Sequence, residues 1–155
     1  MIDLGSVTAV DIPGFGYMAS TSKKDIEEMK KTVIHRLEEW HEDILVAVLI
    51  VDVSLFRELV DRWEMREEIP IDIEFYTFLS EIAADVIVLA NKLDKLRRKQ
   101  RPVELEYLRE KLRIALPHQE PTVIPASASK KIGIAELKMR IESILASTEL
   151  MAPDW

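Results

Sequence analysis

The chain has 155 residues, of which 48% are hydrophobic and 32% charged, as expected of one soluble globular domain. Its net charge of −7 argues against general coating of nucleic acid, and the absence of cysteine excludes disulfides, zinc–thiolate sites and cysteine nucleophiles. The longest apolar run, residues 44–51, is far shorter than the roughly 20 residues of a membrane-spanning helix. No signal-peptide pattern is visible at the start, so we expect a cytoplasmic protein without membrane contact.

Apolar runs rich in β-branched residues alternate with helical patterns, which indicates an α/β fold. The run 44–52 (ILVAVLIVD) is typical of a parallel strand buried on both faces. The predicted elements are a hairpin of strands 1–4 and 7–11, a helix over 22–42, a strand over 44–52, helices over 55–67 and from 72, a strand over 85–90, a helix from 102, a strand over 122–126 and a helix after 133. We expect one domain over residues 1–150 and a frayed tail over 151–155.

Two helix starts carry polar side chains suited to capping. Ser22 opens the first helix, with Asp25 three residues later as a capping-box partner. Asp72 is predicted to cap the helix that follows Pro70.

The sequence Asn91-Lys92-Leu93-Asp94 directly follows a predicted buried strand. A carboxylate at Asp94 can accept hydrogen bonds from the ring N–H and the exocyclic amine of guanine, whereas adenine lacks this donor pair. The Lys92 stem can lie along the face of the base, and the Asn91 amide can tie neighbouring loops together. The same tetrapeptide also fits a simple polar loop with a capping aspartate.

Ser127-Ala128 follows the last predicted strand. The backbone N–H of Ala128 can donate to the guanine O6 while Ser127 braces the loop, although the dipeptide alone fits an ordinary turn. Asp11-Ile12-Pro13-Gly14 ends the second strand of the hairpin. There, Asp11 can hold Mg²⁺ and Gly14 lets its N–H approach a terminal phosphate, or the segment is only a Pro-Gly turn.

The joint occurrence of these three strand-end motifs, in this order, resembles the translation-factor class of P-loop GTPases. Over residues 2–149 the chain is more specifically similar to the EngB (YihA) family in its archaeal form. The stretches that carry the resemblance are DIPGFGY (11–17), RWE (62–64), EIPID (68–72), EFY (74–76) and NKLDK (91–95).

The resemblance implies a three-layer P-loop GTPase-like fold, with a mostly parallel sheet and helices on both faces. It implies a GTP- and GDP-binding switch that uses Mg²⁺ and acts in large ribosomal subunit assembly and septum formation. Base recognition would fall to Asn91, Lys92, Asp94, Ser127 and Ala128. Asp11 and Gly14 would sense the metal and the terminal phosphate.

One part of the family pattern is not found, because no Gly-x-x-x-x-Gly-Lys phosphate loop occurs among the glycines at 5, 14, 16 and 133. The strand and helix around that loop and the first switch are also expected but not found. The chain is then either a fragment, which the intact guanine motifs favour, or a naturally reduced relative. We expect weak guanine binding, no hydrolysis, and self-association through exposed strand edges.

A basic segment contrasts with the acidic whole and is expected either to contact ribosomal RNA or to be a solvated loop. Its cations are Lys92, Lys95, Arg97, Arg98, Lys99 and Arg101. The alternative function is a nucleotide-independent module that keeps the GTPase fold and binds a ribosome or a protein.

Overall fold

The structure is a computed structural model that describes residues 1–12 and 23–155, without the side chains of residues 23, 25, 26 and 29. The predicted capping pair Ser22–Asp25 and the segment from residue 13 to 22 lie outside this description. The strands are β1 (Ile2–Asp3), β2 (Thr8–Ala9), β3 (Val46–Asp52), β4 (Asp85–Asn91) and β5 (Thr122–Pro125). The helices are α1 (Lys23–Glu39), α2 (Phe56–Glu64), α3 (Ile71–Ile82), α4 (Arg101–Ala115) and α5 (Ile134–Ser147), with 3₁₀ turns at His41–Asp43 and Leu93–Lys95.

Three parallel strands form the central sheet in the order β3-β4-β5. β3 pairs with β4 from Val46↔Asp85 to Asp52↔Asn91. β5 joins the other side of β4, up to the pair Ala90↔Pro125. The carboxyl ends of all three strands therefore lie along one edge of the sheet, which is where ligands bind in open α/β sheets.

Helices cover both faces of this sheet, as the sequence predicted. On one face Val51, Val88 and Ala90 pack against α2, α3 and α4. On the other face Ile87 and Leu89 pack against α5. The core-forming residues of α4 are Leu105, Leu108 and Leu112. Leu108 is completely buried, so truncation to alanine would cost roughly 2–5 kcal/mol of stability.

Helix α3 is buried on two sides rather than one. Ile73 and Tyr76 join the core beneath α2 and α4. Phe75 and Leu79, among others, pack against Val33 of α1. A helix that is apolar around most of its circumference shows no single apolar stripe in its sequence.

Helix α2 ends earlier than predicted. Glu67 adopts a left-handed conformation with φ of 56°. The Glu68 N–H donates to the Trp63 carbonyl at 3.1 Å, and the Glu67 N–H to the Glu64 carbonyl at 2.9 Å. This pair of bonds is a Schellman motif, which satisfies the last carbonyls of the helix. The helix is therefore closed by its own backbone before Pro70 is reached.

The capping role predicted for Asp72 is wrong. The N-cap of α3 is Pro70, and Asp72 lies inside the first turn. Burial and the nearby Asp52 carboxylate raise the pKa of Asp72 to about 6. Asp72 thus places a reluctantly ionised carboxyl close to the end of β3.

The N-terminal hairpin is shorter than predicted and separate from the central sheet. The Leu4 N–H donates to the Val7 carbonyl at 2.9 Å across the turn. Gly5 has a φ of 79°, and a Cβ there would lie 2.9 Å from Asp154 Oδ2. Only glycine therefore fits this turn without strain or crowding.

The tail at residues 151–155 is not frayed, contrary to the sequence expectation. Pro153 is buried. The Asp154 N–H donates to the Leu4 carbonyl at 3.0 Å, and the Ser6 hydroxyl donates to the Met151 carbonyl at 2.8 Å. The Trp155 indole N–H bonds Glu142 of α5 at 2.5 Å. The tail therefore ties the hairpin to α5, a contact between chain ends that a sequence pattern does not reveal.

Strand β3 is one of the two edge strands of the described sheet. Among the described residues its only ladder partner is β4. Ile50, on the face covered farther along by α5, is 61% exposed. No described helix combines the length and the apolar composition needed to cross a membrane.

The pKa of Asp72 generates a stability prediction. The folded-state pKa of about 6 lies above the unfolded value near 3.9, so the folded state binds the extra proton. The free energy of unfolding should therefore fall as pH rises from about 4 to 6. Asp72→Asn should remove this fall and raise stability at pH 7.5 by about 1–2 kcal/mol, after allowing for the lost attraction to the helix N-terminus.

Urea unfolding at pH 4.5 and pH 7.5 measures this effect. Asp72→Glu keeps a carboxylate and should keep the pH-dependent fall. Equal pH dependence in Asp72→Asn and in the unsubstituted chain would contradict the assignment.

Candidate functional site

The predicted base-binding residues meet at the carboxyl ends of β4 and β5. Asn91 is the last residue of β4, and Ser127 and Ala128 follow β5 by two and three residues. The Leu93 N–H donates to the Ala126 carbonyl at 3.0 Å, which joins the two loops directly. The parallel pairing of β4 and β5 thus brings together two segments that lie more than 30 residues apart in sequence.

The side chain of Asn91 links these loops, as the sequence predicted. Its Oδ1 accepts the backbone N–H of Ala128 at 3.0 Å. The N–H that was expected to donate to a base is therefore engaged with Asn91 in this structure. Ala128 is exposed, so a ligand can reach this N–H by exchanging or sharing the bond.

Asp94 is braced by Ser127. The Ser127 hydroxyl donates to Asp94 Oδ1 at 2.5 Å, and Ser127 itself is completely buried. Ser127 Oγ also accepts the Lys130 N–H at 3.3 Å. The bond from Ser127 holds the pKa of Asp94 below its usual range, so the group is ionised at neutral pH. An ionised carboxylate is an acceptor only, which suits a ligand edge composed of N–H donors.

Lys92 reaches across the strand end toward β3. Its backbone is left-handed, with φ of 63° and ψ of 28°. Its ammonium donates to Asp52 Oδ2 at 2.6 Å. Burial of Asp52 opposes its ionisation, but the hydrogen bonds from Lys92 and Ser54 outweigh that cost and lower its pKa.

Asp52 and Ser54 were not predicted as site residues. Both oxygens of Asp52 are used, because Oδ1 accepts the N–H and the hydroxyl of Ser54 at 3.1 and 2.6 Å. The available signal was the charged residue that ends the apolar run of β3. A terminal aspartate of this kind is indistinguishable from a solvated one until the neighbouring loop is placed.

The motif at residues 11–14 makes no contact with the loops after β4 and β5 through its described residues, Asp11 and Ile12. Asp11 is exposed, and within residues 1–12 and 23–155 no hydrogen bond or ion pair connects it with the loops after β4 and β5. Gly14 lies outside the described residues. No three Asp, Glu or His side chains in the described part of the chain converge as metal ligands.

Asn91 and Asp94 are half-buried and Lys92 and Ala128 are exposed, so among the described residues they form an open rim at the strand ends. A concavity of about 450 Å³ lies between the strand β5 and helix α5, lined by Thr122, Glu136 and Arg140 among others. A second, of about 240 Å³, lies near Tyr76 and Asp85. Neither is lined by the residues that meet at the carboxyl ends of β4 and β5.

The basic segment lies beside this rim. Arg97, Arg98 and Lys99 are exposed, as is Lys95. Arg101 is half-buried and donates from Nε to the Leu96 carbonyl at 3.2 Å. Since Lys92 is paired with Asp52, the accessible positive charge is concentrated in residues 95–99.

Comparison with known proteins identifies relatives that align with most of the chain. A probable GTP-binding protein EngB of Pyrococcus abyssi is 42% identical over 136 residues, covering 88% of this chain and 64% of the relative. That of Pyrococcus horikoshii is 40% identical, covering 88% and 62%. That of Archaeoglobus fulgidus is 33% identical over 148 residues, covering 95% and 74%. The chain thus spans just under two thirds of the length of the two Pyrococcus relatives.

A crystal structure of a probable GTP-binding protein engB superposes with a TM-score of 0.76 at 39% identity, covering 88% of this chain and 75% of that one. No model of a protein family matches the sequence. The α/β, P-loop GTPase-like fold expected from the sequence is confirmed by this structural match. With a relative of 33% identity aligned over 74% of its own length, this chain belongs to the EngB family.

Proposed function

We propose that this chain binds guanine nucleotide at the carboxyl ends of β4 and β5 and forms the base-recognising part of an EngB-type GTPase switch. The observation that carries the proposal is the pair of hydrogen bonds between the two loops, from the Ser127 hydroxyl to Asp94 and from the Ala128 N–H to Asn91. The names of its relatives, probable GTP-binding proteins, support the same ligand class.

The chemistry of Asp94 favours guanine over adenine. Oδ1 accepts from Ser127, and the charges of Lys95 and Lys130 also favour the ionised carboxylate. An ionised carboxylate with a fixed orientation can accept from the N1–H and the exocyclic amine of guanine. Adenine would leave the carboxylate unpaired, which costs on the order of 1–3 kcal/mol.

Phosphate binding by this chain alone is expected to be weak. The sequence contains no Gly-x-x-x-x-Gly-Lys loop, whose lysine and amides cradle the phosphates of P-loop proteins. Asp11 remains our candidate Mg²⁺ ligand and Gly14 our candidate phosphate contact, by family resemblance. We therefore propose weak guanine-selective binding without useful hydrolysis.

We further propose that the switch acts in the cytoplasm and assists assembly of the large ribosomal subunit. We also propose that it is needed for septum formation. The exposed cations at residues 95–99 support contact with RNA phosphates. The rest of the acidic chain repels RNA, so contact would be confined to this segment.

The open edge of β3 supports self-association. On the side away from β4, its backbone groups have no ladder partner among residues 1–12 and 23–155, and with the exposed Ile50 side chain they offer a template for a second strand.

Asp94→Ala should lower the preference for GDP over ADP by about tenfold or more, because it removes the carboxylate that accepts hydrogen bonds from guanine. NMR titration with each nucleotide measures the preference, and Asp61→Ala, an exposed aspartate of α2, is the control. GDP binding below micromolar in the unsubstituted chain would contradict the weak-binding proposal. Unchanged ribosome binding without any guanine preference would favour the nucleotide-independent module.

Reversal of two exposed charges, Arg97→Glu with Arg98→Glu, should weaken binding to ribosomal subunits and reduce its salt dependence. The matched control reverses Lys31 and Arg36 on α1, which are also exposed. Co-sedimentation at several salt concentrations measures the effect. An equal loss in both double variants would attribute it to net charge rather than to this segment.

Self-association should depend on the exposed Ile50 side chain of the edge strand β3. Ile50→Lys should shift the chain toward monomer in sedimentation-velocity experiments, because a charge on an edge strand blocks edge pairing. Ile114→Lys, at an equally exposed position on α4, is the control. A monomeric unsubstituted chain across the concentration range would refute the proposal.

A further inference from the structure

The end of β3 is joined to the base-specifying loop in two ways. Asp52 is the register partner of Asn91, and the Val53 N–H donates to the Asn91 carbonyl at 3.0 Å. The Lys92 ammonium donates to Asp52 Oδ2 at 2.6 Å. Backbone and side chain therefore both connect this strand to the loop that carries Asp94.

Asp52 is oriented by its own neighbours. Its Oδ1 accepts two hydrogen bonds from Ser54, from the backbone N–H and from the hydroxyl. Its Oδ2 is left to receive Lys92. The Asp52 side chain is 22% exposed and that of Lys92 is 50% exposed. The more buried, doubly anchored carboxylate therefore fixes the more exposed and flexible lysine, rather than the reverse.

The loop around Lys92 needs such fixing. Its left-handed backbone is one that residues other than glycine seldom adopt. Conformations of this kind persist where the surroundings hold them, and they cluster at ligand sites. The Lys95 N–H, at 2.9 Å from the Lys92 carbonyl, holds one side of the turn, and the ion pair with Asp52 holds the side chain.

We propose that Asp52 is a positioning residue for guanine selectivity, which holds the Lys92 ammonium so that the lysine stem covers the face of the base whose edge Asp94 reads. This inference rests on the function proposed above. A lysine stem offers apolar methylenes to a flat ring while its charged end stays with a polar partner. Without Asp52 the lysine would have to be ordered at the moment of binding, at an entropic cost.

Asp52→Asn is the first test, because asparagine keeps the shape and an oxygen for Ser54 but loses the charge that holds Lys92. We expect the preference for GDP over ADP to fall about two- to fivefold, the range of a partly exposed ion pair. Asp52→Glu restores the charge and should recover much of the preference. NMR titration with GDP and with ADP measures each ratio.

Asp85→Asn is the matched control. Asp85 is the first residue of β4, at the amino end of the strand, and its carboxylate lies 3.6 Å from the Arg140 guanidinium. The Asp85–Arg140 pair is also an ion pair at a strand end, but it does not adjoin the loop that carries Asp94. The preference for GDP should remain that of the unsubstituted chain.

A double-mutant cycle with Lys92→Met separates positioning from a general role in the fold. Methionine keeps an apolar stem of similar length and removes the ammonium. Asp52→Asn should then have no further effect on the GDP-to-ADP ratio in the Lys92→Met background. Lys92→Met tests the lysine even where Asp52→Asn is poorly folded.

The outcomes are distinct. Independent, additive effects in the cycle, or an unchanged ratio in Asp52→Asn, would overturn the inference and leave the proposed function intact. No preference for GDP in the unsubstituted chain would overturn the proposed function and, with it, the role of Asp52.

Discussion

The structure depends on the hydrogen-bonded junction between the loops after β4 and β5. The parallel pairing of these strands brings the loops together, and the Leu93–Ala126 backbone bond closes the gap between them. Two side-chain bonds, from Ser127 to Asp94 and from Ala128 to Asn91, then fix the acceptor groups. Because Ser127 is completely buried, its hydroxyl must be bonded, and Asp94 supplies the partner. The Ser127–Asp94 hydrogen bond therefore satisfies a buried hydroxyl and also orients the Asp94 carboxylate.

The electrostatics of the neighbouring strand follow the same logic. Asp52 is ionised because Lys92 and Ser54 satisfy it, whereas burial and the Asp52 charge make Asp72 resist ionisation. Two aspartates at the same end of the sheet therefore have opposite tendencies, set by their surroundings. The Asp52 carboxylate holds the Lys92 ammonium on the side of β3.

The sequence was sufficient for the parts of the fold governed by short-range rules. The apolar runs of β3 and β4 predicted those strands, and the order of the strand-end motifs predicted that the loops after β4 and β5 would meet. It failed where distant contacts decide. The tail that binds the hairpin at Leu4 and the Asp52–Lys92 pair each join residues far apart in the sequence. The closure of α2 at Glu67 is local, but no glycine marks that left-handed position in the sequence. Asp11, predicted with the site, remains a prediction, because the residues that follow Ile12 lie outside the description.

The most direct test of the account is a map of backbone amide NMR shifts on adding GDP, with ADP as the comparison. The account predicts that GDP shifts the amides of Leu93, Asp94, Ser127 and Ala128, and that ADP at the same concentration leaves them nearly unchanged. Equal shifts with both nucleotides, or shifts confined to the amino ends of the strands near Asp85, would contradict it.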